Sequence, residues 1–171
     1  MSSSPGLPAV FSDGLITDTY DLSSFNANAP APGTVRVETN SSGQVTKYRF
    51  VKNTSGSSIA ANKLVSVTAD QNNLNYVSIA PNDSSPFRVR GATMAALAAN
   101  YGGWVIYNGI ATVTADASTG VTKAIGVRVG AVTSGTVQAV AAVTAAAVGL
   151  ALGSANVSAG DPAVIALTLP D

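Results

Sequence analysis

The sequence predicts an all-β fold, a small β-barrel or sandwich preceded by an extended N-terminal arm. From residue 34 onward, apolar and polar residues alternate with period two, as half-buried strands require. The alternating runs are separated at near-regular spacing by clusters of Asn, Asp, Ser, Gly and Pro. These residues accept positive φ or bond their own backbone in turns. The apolar residues are mostly Ala and Val, the polar ones mostly Ser, Thr, Asn and Gly. β-Branched Val and Thr suit a pleated surface, where they lose little rotamer freedom.

Residues 1–33 differ from the rest and are read as the arm, with residues 34–171 forming the barrel or sandwich. Pro5, Pro8, Pro30 and Pro32 remove backbone donors and hold the chain extended, which argues against an independent helix. Leu7, Phe11, Leu15, Ile16, Tyr20, Leu22 and Phe25 are more large apolar groups than a free tail carries. They point to an arm packed on its own domain or on a neighbour. The arm holds Asp13, Asp18 and Asp21 and no basic residue. Residues 34–52 carry Arg36, Lys47, Arg49 and Lys52 against Glu38 alone, so the arm is expected to lie on this basic strand pair, in cis or in trans.

Val35 and Val37 alternate with Arg36 and Glu38, and Tyr48 and Phe50 with Lys47 and Arg49. Asn40-Ser41-Ser42-Gly43 between the two runs is hairpin chemistry. Further strands are expected at 63–69, 75–80, 87–90, 103–107, 110–115, 123–132, 136–143, 148–155 and 162–169. Asn108-Gly109 reads as a turn between two of them. Thr93–Ala99 has the propensity for a turn or two of helix. Alanine content also allows helix at Ala139–Ala147, but its flanks favour strand.

The 171 residues include 46% hydrophobic and only 11% charged, against roughly 25% charged in an ordinary soluble domain. Nine basic residues balance nine acidic ones, and there is neither His nor Cys. Without imidazole or thiol, the usual proton shuttle, the His-dependent nucleophile systems and nearly all zinc, haem and iron–sulfur sites drop out. Disulfides drop out as well, so stability rests on packing or association. Low net charge weakens repulsion between copies. No basic segment followed by an apolar run opens the chain, and Ala139–Leu152 is too short to span a bilayer, so a cytoplasmically made, soluble protein is expected.

No phosphate-binding glycine loop, G-x-S-x-G, S-x-x-K or EF-hand pattern occurs. Asp70, Asp83, Asp116 and Asp161 sit beside Asn, Ser or Gly, where Asp caps turns. Five basic residues after Lys52 are offset by five acidic ones, which argues against nucleic acid binding. Arg36, Lys47, Arg49 and Lys52 read as the solvent-facing side of a hairpin, or as a contact for an acidic protein surface. Tyr76, Tyr101, Trp104 and Tyr107 read as strand packing in preference to a sugar platform. No enzyme, cofactor, metal or membrane partner is expected.

The run Phe50-Val51-Lys52-Asn53-Thr54-Ser55-Gly56-Ser57-Ser58-Ile59-Ala60-Ala61, followed by Lys63-Leu64-Val65, resembles the opening of small β-barrel modules in tailed-phage virion proteins. Gly91-Ala92-Thr93, Tyr101-Gly102-Gly103-Trp104-Val105 and Gly109-Ile110-Ala111-Thr112-Val113 continue the likeness. Ala147-Val148-Gly149-Leu150-Ala151, Ala159-Gly160-Asp161 and Val164-Ile165-Ala166-Leu167 close it. Together, over about residues 50–169, these motifs resemble phage head decoration, or capsid cement, proteins. The resemblance implies a homo-oligomer, commonly a trimer, bound outside the shell where it reinforces contacts between major capsid subunits. It offers no catalytic motif.

The expected role is therefore a virion structural protein on the capsid surface, with the major capsid protein and its own copies as partners. Phe11, Tyr20, Phe25, Arg36, Lys47, Arg49 and Lys52 are the candidate capsid or subunit contacts. The competing expectation is a tail-fibre or receptor-binding module contacting a host surface glycan.

Overall fold

The structure is a computed structural model that describes residues 14–68, 73–82, 88–122, 126–130, 133–140, 147–152 and 156–169. Eleven strands are present among these residues: β1 (Thr19–Asp21), β2 (Val35–Thr39), β3 (Val45–Asn53), β4 (Leu64–Val67), β5 (Tyr76–Ile79) and β6 (Val89–Thr93), then β7 (Tyr101–Thr114), β8 (Gly126–Val129), β9 (Val137–Ala139), β10 (Gly149–Leu152) and β11 (Pro162–Thr168). The fold is all-β, as expected.

Five strands close a circuit. β3 pairs with β5 in parallel, β5 with β4, β4 with β6, β6 with β7, and β7 returns to β3. Closing the hydrogen-bonded path removes edges that would otherwise pair with other chains. Inside lies one buried cluster of Val51, Val65, Val77 and Val105 with Ile59 and Leu97. Valine suits this place because its short branched side chain fills a narrow barrel without rotamer strain.

β7 then leaves the circuit. Its second half pairs with β11, and the sheet continues through β10 and β8 to β9. The larger core cluster joins the outside of the circuit, at Phe50, Trp104 and Ile106, to this sheet's Val113, Val127, Val137 and Ile165. The expected turn at Asn108-Gly109 is therefore corrected: one strand runs through it. Gly109 sits at φ +123, a conformation that only glycine takes readily. The buried side switches just before it, from Trp104 and Ile106 to Tyr107, Ala111 and Val113. The register against β3 shifts at the same place, with Lys47 opposite Asn108 but Tyr48 opposite Ile106, so Tyr107 is the extra residue of a β-bulge, which re-aims the alternation without ending the strand.

The helical turns considered at Thr93–Ala99 are absent. Leu97 instead exchanges backbone hydrogen bonds with Ile59, at 2.9 and 2.8 Å, and both side chains plug the barrel. Burial of Leu97 outweighs the modest helix propensity of its neighbours. Of the expected strand at 136–143, Val137–Ala139 is strand, and residues 141–146 lie outside the described residues.

Candidate functional site

The arm lies in cis. β1 pairs with the start of β7, Thr19 opposite Gly103 and Tyr20 opposite Gly102. This close approach needs glycine: a Cβ on Gly102 would lie 2.6 Å from both Leu22 and Phe50. Tyr20 meets Phe50 edge-on with centroids 5.8 Å apart, and Phe50 meets Trp104 edge-on at 5.3 Å. Edge-to-face contact sets the positive ring rim against the negative face. Ile16 and Leu22 pack on the same cluster. Replacing Tyr20 by Ala should cost about 1–3 kcal/mol in urea unfolding and speed proteolysis at the arm.

Two basic residues hold the arm by its backbone. Arg36 Nη1 donates to Gly14 O at 2.8 Å, and Lys52 Nζ donates to Leu22 O at 2.7 Å. Among the described residues, the arm's two carboxylates are engaged in its own turns: Asp18 Oδ2 accepts from Leu15 N at 2.7 Å, Asp21 Oδ1 from Ser23 N at 2.8 Å. The bonds from Ser23, with a smaller effect from the Lys52 cation, hold the Asp21 carboxyl below its usual value. Its contribution to the turn is thus present at neutral pH and fades as pH falls through that lowered value.

The register of the hairpin corrects the picture of one solvent-facing basic side. Val35 stands opposite Arg49 and Val37 opposite Lys47, whereas Arg36 stands opposite Tyr48. Directly paired residues share a face, so the valines share theirs with Lys47 and Arg49, and Arg36 shares its face with the arm-covered Tyr48 and Phe50. Val35, Val37 and Val45 are exposed, while Arg49 is buried, 6% exposed, with its guanidinium 4.4 Å from the centre of the Tyr107 ring. Lys47 is half-buried on β3, and Arg36 also bonds Glu38 at 2.8 Å.

Of the candidate contacts, Phe25 is the most exposed, at 93%. It stands beside a surface cavity of about 500 Å³ lined in part by Leu22, Pro30, Pro32, Lys52 and Tyr76. Lys52 Nζ sits 5.9 Å from the centre of the Tyr76 ring. Tyr20 is committed to the core, and Phe11 lies outside the described residues. Trp104 and Tyr107 are both buried, at 6% and 3% exposed, within the larger core cluster. They form no shared platform for a sugar. Sequence reasoning missed a row of exposed apolar groups on the outer sheet. Ile110 is in register with Ala166, and Ala166 with Leu150, while Val164 is two residues along β11. Ile110, Leu150 and Val164 are all exposed. The bulge at Tyr107, invisible to strict alternation, decides which side of β7 reaches solvent.

Among the described residues no group of three or more Asp, Glu, His or Cys is placed to hold a metal ion. No helix among them is long and apolar enough to cross a membrane.

No family model matches the chain, and no curated protein does. Among solved structures it is similar to the head fiber gp8.5 N base of bacteriophage phi29, with a TM-score of 0.50 and 13% sequence identity. The match covers 71% of this chain and 92% of that one. What the two chains share is the fold.

Proposed function

We propose that the chain is a virion structural protein that binds the outside of a phage capsid and reinforces contacts between major capsid subunits. The observation that carries this reading is the fold likeness to a phage head fiber base, which spans almost the whole of that base. The sequence motifs of Phe50–Val65 and Tyr101–Val113, which resemble capsid decoration proteins, support it independently. The role requires no catalysis, and its partners are the major capsid protein and further copies of this chain, with a trimer as the expected assembly. A closed β unit of zero formal net charge repeats at many equivalent shell sites with little self-repulsion. Several weak contacts then sum to a long-lived attachment.

The same likeness supports a second reading, in which the chain is the capsid-anchored base of a fibre. A host glycan as ligand has less support, because Trp104 and Tyr107 are both buried in the core.

Within the arm, Phe25 is the residue placed to reach a partner. An exposed aromatic at the edge of a cavity is a typical interface anchor. Purified protein added to heads that lack it should sediment with them at a fixed ratio to the major capsid protein and raise their resistance to heat. Phe25→Asp should weaken that binding by at least about ten-fold while leaving stability within about 0.5 kcal/mol. Absence of head binding, together with binding to host cells or glycans, would overturn the proposal.

A further inference from the structure

The mouth of the five-stranded circuit carries two buried cations whose charge the described residues leave uncompensated. Arg49 precedes Val51 by two residues on β3 and so shares its inward face. Arg90 is the extra residue of a bulge in β6, where Val65 pairs with Gly91 but Ser66 pairs with Val89. Each arginine is only 6% exposed. Among the described residues the ion pair found is Arg36 with Glu38, and neither Arg49 nor Arg90 has a carboxylate within ion-pair distance. Arg49 Nη1 and Arg90 Nε are both buried without a hydrogen-bond partner among the described residues.

Buried ions that lack both counter-charge and hydrogen bonds are strongly unfavourable. Here two like charges share one region: burial, and then the neighbouring Arg49 cation, push the Arg90 guanidinium below its usual value. Lys47 follows Arg49 on the same face of β3 and adds a third positive group toward solvent. The flat side of Arg49 is occupied by the Tyr107 ring at 4.4 Å, so stacking fixes the guanidinium plane and leaves its N–H edge to bind. Orphaned donors on two rigid cations are the complement of an anion with several oxygens, since a planar guanidinium matches two such oxygens at once.

We propose that Arg49 and Arg90, with Lys47 at the entrance and Tyr107 as the stacking wall, form an oxyanion-binding site at the barrel mouth. The ligand class is a phosphate or a carboxylate, and the site is independent of the capsid role above.

The test is thermal unfolding of the full chain at constant ionic strength, with inorganic phosphate or citrate replacing chloride. Either anion is expected to raise Tm saturably, by roughly 5–10 °C at a hundred times its Kd. The anion with the lower half-saturation concentration identifies the preferred chemistry. Arg90→Met and Arg49→Met should each abolish the rise. In chloride alone Arg90→Met should melt no lower than the parent, because one of two like buried charges is gone. Isothermal titration of the parent with phosphate and with citrate gives the binding directly. If neither anion raises Tm and Arg90→Met lowers it in chloride, the chain supplies its own counter-charge and the proposal is overturned.

Discussion

Asn53→Asp is expected to destabilise the chain by about 3–5 kcal/mol. Asn53 closes β3 and is fully buried. Its Nδ2 lies 2.8 Å from Ser57 O, 2.9 Å from Leu97 O and 3.0 Å from Ala98 O, and its Oδ1 accepts from Ser55 N at 3.0 Å and Ser55 Oγ at 2.7 Å. One amide thus ties the end of β3 to the loop after it and to the Leu97 segment that plugs the barrel. An aspartate would aim an ionised oxygen at three carbonyl oxygens. Its folded pKa would rise, so the variant should recover stability relative to the parent as pH falls toward that of an ordinary carboxyl, where a proton restores one donor. Urea titrations of both proteins at pH 7 and pH 4.5 check this. A loss under about 1 kcal/mol at pH 7 would show that the amide bonds contribute little.

The second large effect falls on the outer sheet. Asp116 is fully buried just beyond β7. Its Oδ1 accepts from Ser118 N at 3.0 Å and Ser118 Oγ at 2.6 Å, and its Oδ2 from Thr133 N at 2.9 Å and Thr136 Oγ1 at 3.2 Å. Its backbone N–H donates to Val137 O at 2.7 Å. The carboxylate therefore joins the exit of β7 to the entry of β9. Asp116→Ala leaves buried donors unsatisfied and should cost about 3–5 kcal/mol. Asp116→Asn keeps the shape but turns an amide toward a donor, and should cost about 2 kcal/mol. Hydrogen exchange at Val137–Ala139 should accelerate more than at Phe50–Asn53, because the bonds lost are those of the outer sheet.

Both residues were partly legible in the sequence. Asp116, beside Ala117-Ser118-Thr119-Gly120, reads as a turn-capping aspartate, and it does cap that turn through Ser118. Its bonds to Thr133 and Thr136 join segments distant in sequence, and no local pattern encodes them. Asn53 stands in a polar Asn-Thr-Ser-Gly turn, where its bond to Ser55 N is local. Its partners Leu97 and Ala98 are more than forty residues away.

The basic cluster shows where alternation runs out. Period two tells which residues of β2 share a side, and which of β3, but not which side of β2 meets which side of β3. Register decides that, and here it sets Val35 beside Arg49 and leaves Arg36 on the side of Tyr48. Lys52 was read as a surface cation, yet its ammonium holds a carbonyl of the arm. Among the described residues, the arm is held on the strand pair through its peptide carbonyls, with a smaller attraction between Lys52 and the Asp21 carboxylate.

Sequence alone determined that this protein is built from short strands, that its first segment is extended and apolar enough to pack, and that imidazole and thiol chemistry are closed to it. Those properties follow from local sterics and from residue types, each carried within a few positions of the chain. Only the tertiary structure decided that five strands close a circuit, that a bulge at Tyr107 lets β7 serve both halves, and that Arg49 and Arg90 meet at the barrel mouth. Strand pairing joins residues far apart in sequence through backbone groups that are chemically the same at nearly every position. Which of them meet is settled by the packing of the whole chain.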